Sequence, residues 1–234
     1  MVVVETMMHS SVEELLRPGD VITKVDEYDV DNDGMVRIYG LNLDLSEVIE
    51  GKQIGEMAKV TFYRDGEKKE EMAKVALNRP VLEYSREYDK APRYVCFAGL
   101  VFTPLTRNYL ETWGAEWPTS IPFYLRYLFT NSMQLNKDRE RKEYVVLSEV
   151  LTDEVNAYSG GFKSQVIESV NGVQIWSMGD LQKVFEEGTG EFFVLKFMGD
   201  TRVLSIDVKK AKERQEAILQ NYGVPAAARL EGQL

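Results

Sequence analysis

Few residues in this sequence have the chemistry that hydrolysis requires. A nucleophilic serine needs a general base beside it, and the chain contains a single histidine, His9. The serine whose neighbours best suit nucleophilic chemistry is Ser159, which precedes Gly160-Gly161, and no plausible base stands near it in the sequence. We therefore interpret Ser159 as a loop serine and predict that this chain has no catalytic residues and is not an enzyme.

Metal and thiol chemistry have equally little support. Cys96 is the only cysteine, which excludes an internal disulfide and a cysteine-based zinc cluster, and its apolar neighbours predict a buried, inert thiol. The run Asp29 to Gly34 matches the first half of a calcium-binding EF-hand loop, but the twelfth position is Gly40 instead of the glutamate that binds calcium. We expect no metal and no cofactor.

Charge and hydropathy exclude two classes of partner. The net charge of −10 argues against binding to nucleic acid or to anionic lipid, because both attract clustered Lys and Arg. The longest apolar run, from about Val95 to Phe102, is far shorter than the ~18–20 residues of a membrane span. The first residues of this sequence do not have the pattern of a signal peptide, and the compartment stays unknown.

The elements that position these residues form two similar modules. In residues 1–78 we predict a strand over Val2 to Met7, a capped helix from Ser11 to Leu16, a strand from Val21 to Val25, and a hairpin across Asp65-Gly66. Between the Val21–Val25 strand and this hairpin, Leu45, Val48 and Ile49 have the spacing of a helix.

The same order returns after residue 143. Tyr144 to Leu151 and Gln165 to Val170 read as strands, a helix over Met178 to Glu187 follows, and a second hairpin crosses Gly199-Asp200. A helix from Lys209 to Tyr222 ends the repeat. We predict a first domain over 1–78, a linker over 79–92, a second domain over 93–223 and a tail over 224–234.

An insertion rich in aromatic residues, 104–143, interrupts the second domain. It is expected to form two short helices that pack onto that domain, since a solvated loop does not need so many aromatic side chains. An exposed interaction patch is the alternative.

Two sets of residues resemble a known family. Leu16-Arg17-Pro18-Gly19-Asp20-Val21-Ile22 and the later Tyr63-Arg64-Asp65-Gly66 resemble the PDZ domain of HtrA/Do-like serine proteases, with Glu27 and Glu67 at turn positions where that family has Gly and Lys. The second half is similar to the C-terminal part of the plant Do-like branch, through Phe97 to Thr106, Val145 to Leu151 and Ile218 to Pro225.

The resemblance implies an α+β fold of two PDZ-like domains, each a small β-barrel or sandwich capped by two helices, the second carrying the insertion and a C-terminal helix. It implies a regulatory function in which exposed or C-terminal peptide segments bind by β-augmentation. In this family a trypsin-like protease domain lies N-terminal to the PDZ domains, so we expect that domain to be missing here and the first PDZ domain to be N-terminally incomplete.

The implied partners are peptide segments or protein C-termini, the protease domain of the parent chain and, in the full-length protein, further copies of itself. A periplasmic location would follow only for a member from a bacterial envelope. Two other functions stay open, a stand-alone adaptor and an oligomer-assembly domain whose grooves are self-occupied.

The resemblance also suggests where a peptide would bind. The backbone of Gly99, Leu100, Val101 and Phe102 is the expected augmentation edge, and Leu181, Val184 and Phe185 are the expected groove wall. In the first domain Leu45, Val48 and Ile49 are the counterparts of that wall. The alternative is that these side chains simply fill the cores.

Overall fold

The computed structural model describes residues 1–7, 10–76, 81–135 and 141–230. The chain divides into two compact units, Met1–Pro80 and Val81–Leu234. Each unit combines β-sheets with few helices, which is consistent with the predicted α+β fold class.

The first unit is built around a four-stranded sheet with the strand order β2-β1-β5-β6. Its elements are β1 (Val21–Val25), β2 (Tyr28–Asp29), β3 (Met35–Ile38), β4 (Leu41–Asp44), α1 (Ser46–Glu50), β5 (Met57–Arg64) and β6 (Glu67–Lys74). The predicted hairpin joins β5 to β6, because Asp65 and Gly66 both adopt the positive φ angles of a type I′ turn. Phe62 and Val60 of β5 lie in this unit's core.

Two predictions for the first unit differ from the structure. Val2 to Met7 is not a strand, since only Val2 forms an isolated bridge, to Val21. Ser11 to Leu16 is a turn and not a helix. The Ser11 hydroxyl accepts a hydrogen bond from the Ala76 N–H, so it does not cap a helix.

The second unit contains two four-stranded sheets, with the strand orders β14-β7-β8-β9 and β11-β10-β12-β13. Its strands are β7 (Tyr94–Phe97), β8 (Leu100–Pro104), β9 (Val145–Val150), β10 (Ile167–Val170), β11 (Val173–Gln174), β12 (Phe192–Phe197), β13 (Val203–Asp207) and β14 (Ala228–Arg229). Its helices are α2 (Arg107–Leu110), α3 (Trp117–Ser120), α4 (Phe123–Leu135), α5 (Met178–Glu187) and α6 (Val208–Asn221).

The sequence repeat is also a structural repeat. The sheet order β2-β1-β5-β6 of the first unit matches β11-β10-β12-β13 of the second, and a short helix, α1 or α5, precedes the hairpin in each. Both central pairs carry a register shift at the same place, between Ile22 and Lys24 and between Ile167 and Ser169.

The insertion packs on the second unit, but its described residues form three α-helices, α2, α3 and the 13-residue α4, instead of the two short helices predicted. Leu110, Leu125 and Leu128 are buried in one cluster with Val146 and Val166 of the strand region. Phe123 and Tyr127 remain exposed on the outer face of α4. In the segment expected to be a linker, Leu82 is fully buried in the same cluster and Val81 and Tyr84 pack against it, so the first described residues of this segment are packed.

The predicted tail is also packed in part, because Ala228–Arg229 forms β14. Among the described residues, no helix is both long and apolar enough to cross a membrane.

Candidate functional site

The expected augmentation edge, Gly99 to Phe102, is not a free edge. β8 pairs on one side with β9 and on the other with β7, where Phe97 lies opposite Leu100 and Val95 opposite Phe102. The reason is the turn Ala98-Gly99, whose two positive φ angles close a two-residue hairpin and fold β7 back onto β8. The chain's own β7 thus lies along the edge of β8 that we expected a peptide to use.

The turn itself is fixed by side chains from two other elements. The Gln215 amide of α6 accepts a hydrogen bond from the Ala98 N–H (2.7 Å) and donates one to the Cys96 carbonyl (2.7 Å). The Asn156 amide donates to the Ala98 carbonyl (2.7 Å). The Ala98 N–H is therefore already used and is not available to a ligand carboxylate.

At Gly99 the backbone lies very close to the Leu151 carbonyl and to the Asn156 side chain. An added Cβ would lie 2.3 Å from the Leu151 carbonyl oxygen and 2.4 Å from the Asn156 amide nitrogen, and the φ angle is +79°. Only glycine fits both requirements.

The expected groove wall on α5 is packed against β7. Leu181 and Phe185 are buried in the main core of the second unit, and Val184 packs against that core from a half-buried position. The Phe185 ring stacks on the Phe97 ring with centroids 4.6 Å apart. Phe97 of β7 and Phe102 of β8 thus both lie against Phe185, the latter with ring centroids 5.9 Å apart, which agrees with the core-filling alternative for Leu181 and Phe185.

The outer edge of β7 carries the C-terminal segment. Ala228 pairs with Val95 and Arg229 with Tyr94, and the Cys96 N–H donates to the Ala227 carbonyl (2.7 Å). The Arg229 guanidinium lies 5.5 Å from the centroid of the Tyr94 ring. This is strand addition within one chain, and the added strand is only two residues long.

An ion pair joins α6 to the loop after β9. The Arg214 guanidinium donates to Asp153 (2.6 Å), and this hydrogen bond holds the pKa of the Asp153 carboxyl below its usual range. The Asp153 side chain also accepts from the Val155 N–H, which caps the short 3₁₀ helix containing Asn156. The arrangement positions Asn156 against the Ala98-Gly99 turn.

In the first unit, the three expected wall residues face the core of that unit. Val48 of α1 is buried, and Leu45 and Ile49 pack against the same cluster from partly buried positions. No sequence signal distinguished a groove wall from a core face here, because both need apolar residues at helical spacing.

The residues considered for catalysis or metal binding have other surroundings. Burial raises the pKa of the Cys96 thiol to about 11, so a thiolate is disfavoured. The Ser159 hydroxyl is buried and has no partner in the part of the chain that the structure describes. His9 lies outside the described residues.

One Asp31 carboxylate oxygen accepts from the Asp33 and Met35 N–H groups, and no metal-ligating cluster occurs among the described residues.

Antiparallel sheets with a helix beside a strand edge are consistent with a PDZ-like domain, a class of domain that binds peptides at a sheet edge. The chain belongs to the PDZ domain family, whose model matches residues 84–229.

Curated relatives place that family membership among Do-like proteases. The chain is 27% identical over 213 residues to the mitochondrial protease Do-like 4 of Arabidopsis thaliana, which covers 91% of this chain and 37% of the relative. Two further proteins of that plant, named provisionally as proteases, are mitochondrial Do-like 3 (26% identical, 93% of this chain, 36% of the relative) and Do-like 13 (29% identical, 94% and 40%). The chain spans about two fifths of the length of these relatives, the part that contains the PDZ region.

Proposed function

We propose that this chain is the peptide-binding, regulatory PDZ region of a Do-like serine protease, and that the first unit is a second, partial PDZ domain. The repeated sheet order and the shared register shift support the second point. The protease domain would belong to the parent chain and would be its partner, together with peptide segments or C-termini of other proteins.

The main support for the proposal is that two strands, β7 and β14, are added beside β8. β7 and then β14 extend the β8–β9 pair by backbone hydrogen bonds, which supports the proposal that this edge accepts an extended segment. Because backbone hydrogen bonds tolerate many sequences, another extended segment can replace the short β14 at the β7 edge. Recognition by β-augmentation would therefore occur one strand further out than the β8 edge.

A library of C-terminal peptides tests this function on the purified chain. We expect micromolar binding by some members, and the same peptides with N-methylated backbones should lose it, because they cannot complete the ladder. Val184→Glu disturbs the support of β7 by α5 and should weaken binding, whereas Lys183→Glu places the same charge on the exposed neighbour and should not. A folded chain that binds no member of the library would contradict the proposal.

A second candidate function, oligomer assembly, is favoured by the same self-filled groove. If the β14 segment of one copy occupies the β7 edge of another, the chain associates through its own sequence and does not capture substrates. Sedimentation equilibrium distinguishes the two: concentration-dependent association that is lost on removal of residues 226–234, without peptide binding, would favour assembly. A stand-alone adaptor would be favoured instead by a parent gene that encodes no protease domain.

A further inference from the structure

The first seven residues of the first unit take the place that β9 takes in the second unit. Val2 forms an antiparallel bridge to Val21, next to the start of β1. Val146 of β9 forms the same bridge to Val166, next to the start of β10. Since β1 and β10 are counterparts in the repeated sheet, Val2 is the counterpart of Val146.

The residue after each bridge makes the same two backbone hydrogen bonds. The Val3 N–H donates to the Asp20 carbonyl (2.8 Å), and the Val3 carbonyl accepts from the Gly19 N–H (2.9 Å). Leu147 makes the equivalent bonds with Gln165 (2.9 Å) and Ser164 (2.7 Å). The two segments therefore attach to their units in the same register.

The opposite edges of the two segments differ. β9 is paired there with β8, and Phe102 lies opposite Leu147. In the first unit, Val2 and Val4 direct their backbone N–H and C=O groups to this edge, because Val3 uses its own groups on the other side. Among the described residues none of these groups has a hydrogen-bond partner, and the exposed fractions of Val2 and Val4 are 59% and 82%. We call the outward backbone of Val2 and Val4 the N-terminal edge.

Apolar side chains beside the N-terminal edge are less covered than their counterparts. Leu147 is fully buried, whereas Val3 is half-buried. Phe185 of α5 is buried with its ring centroid 5.9 Å from that of Phe102, whereas Ile49 of α1 is half-buried. The sequence places Ile49 opposite Phe185 in the repeat, because Asp180-Leu181 and Val184-Phe185 recur as Asp44-Leu45 and Val48-Ile49. Both differences follow if the first unit has no strand in the position of β8.

The chemistry of a suitable occupant can be read from β8. Burial alternates along this strand, with Leu100, Phe102 and Pro104 buried and the two residues between them half-buried. The net charge of −10 disfavours an acidic segment. An uncharged or basic strand with bulky apolar side chains at alternate positions meets both requirements.

We propose that the N-terminal edge binds such an extended segment of another polypeptide as an antiparallel strand, with a bulky apolar side chain opposite Val3. The inference rests on the proposed peptide-binding function but assigns a different edge, in the first unit, from the β7 edge. Backbone groups of Val2 and Val4 supply the hydrogen bonds, and Val3 and Ile49 gain the apolar cover that Phe102 gives to the second unit.

Titration of the isotope-labelled chain with the peptide acetyl-Lys-Gly-Leu-Val-Phe-Thr-Pro-Lys-amide, followed by NMR, tests the proposal. The peptide carries the sequence of residues 99–104 between two lysines. We expect saturable shifts of the Val2, Val4 and Ile49 amides. The same peptide with serine in place of phenylalanine should bind about tenfold more weakly or less, because it buries no large apolar side chain.

Val4→Pro removes the N–H that faces the N-terminal edge and should weaken binding about fivefold or more, the loss of one hydrogen bond. Val4→Thr is the matched control, because threonine keeps the N–H and the branched shape, and its binding should be unchanged. The unfolding midpoint of Val4→Pro should also be unchanged, since the lost N–H has no partner among the described residues. If that midpoint falls, N-methylation of the peptide backbone tests the same hydrogen bonds from the side of the ligand, and it should abolish the shifts.

Shifts confined to Tyr94–Phe97 and α5 would overturn binding at the N-terminal edge and leave the proposed function standing. Shifts of Val2 and Val4 that appear on raising the protein concentration without peptide would assign this edge to a second copy of the chain and overturn the proposal. Absence of any shift would also overturn it, while the C-terminal peptide library would still decide the proposed function separately.

Discussion

At the scale of single residues, Gly99 decides whether β7 can fold back onto β8. Replacement by alanine adds ~1–2 kcal/mol for a side chain in the left-handed region and ~1–3 kcal/mol for the contact with the Leu151 carbonyl. We expect Gly99→Ala to lower the free energy of unfolding by about 2–5 kcal/mol in urea denaturation. Gly172→Ala is the control, because its φ angle is +80° but nothing lies within 4 Å. Equal losses in both variants would show that the packing around Gly99 does not matter.

Asp20 and Arg64, both part of the motif that resembles HtrA/Do-like PDZ domains, form an ion pair in the first unit. The Arg64 Nε and Nη2 atoms donate to the two Asp20 carboxylate oxygens at 2.8 and 2.6 Å, and this hydrogen bonding lowers the pKa of Asp20 despite its burial. Because the Asp20 pKa is lower in the folded than in the unfolded chain, the ionised carboxylate stabilises the fold at pH values above the ordinary carboxyl pKa of about 3.9. This stability is lost as the pH falls from that value through the lowered pKa of the folded chain. Asp20 and Arg64 of this motif thus have a structural role, the formation of this ion pair, which was not apparent from the sequence alone.

The pH dependence of unfolding tests that ion pair. Asp20→Asn should be less stable at neutral pH, and its stability should fall less steeply than that of the unchanged chain below about pH 4. Urea titrations at several pH values measure this, with Asp29→Asn as the control, because the side chain of Asp29 is 89% exposed in its ion pair with Lys24. Parallel pH profiles for Asp20→Asn and the unchanged chain would contradict the assignment.

At the scale of elements, α6 holds the β7–β8 turn through Gln215. Gln215→Ala leaves the Ala98 N–H and the Cys96 carbonyl without partners, so we expect a loss of about 1–3 kcal/mol and faster hydrogen exchange of the Ala98 amide. Gln220→Ala on the same helix removes only a contact with Glu216 and should change neither quantity. An unchanged Ala98 exchange rate in Gln215→Ala would mean that α6 does not hold the turn.

Local sequence patterns predict some elements of this fold but not how the strands pair. The Asp65-Gly66 hairpin, the α5 helix and the α6 helix follow from turn chemistry and helical spacing, which are local properties. Whether β8 is an edge depends on β7 folding back through Ala98-Gly99 and on β14 arriving from far along the chain. Residue alternation predicts strands, but it does not predict their neighbours, so the pairing of β8 on both sides could not be predicted from it.

At the scale of the whole molecule, β14 occupies the β7 edge at which we propose that peptides bind. A ligand that must displace β14 binds with an affinity reduced by the fraction of molecules in which the β7 edge is free. Under the proposed function, self-occupation would regulate binding without any charge or chemical switch, and it is compatible with either peptide recognition or assembly. Resemblance to the family predicted the class of function, whereas the occupied groove required the structure.

The affinity of a C-terminal peptide for the 234-residue chain and for a chain ending at Pro225 tests whether peptides bind at the β7 edge. We predict that loss of the β14 segment uncovers the β7 edge and strengthens binding by roughly tenfold or more, with no change in the fold by circular dichroism. Equal affinities for the two chains, with both folded, would contradict strand addition at this edge.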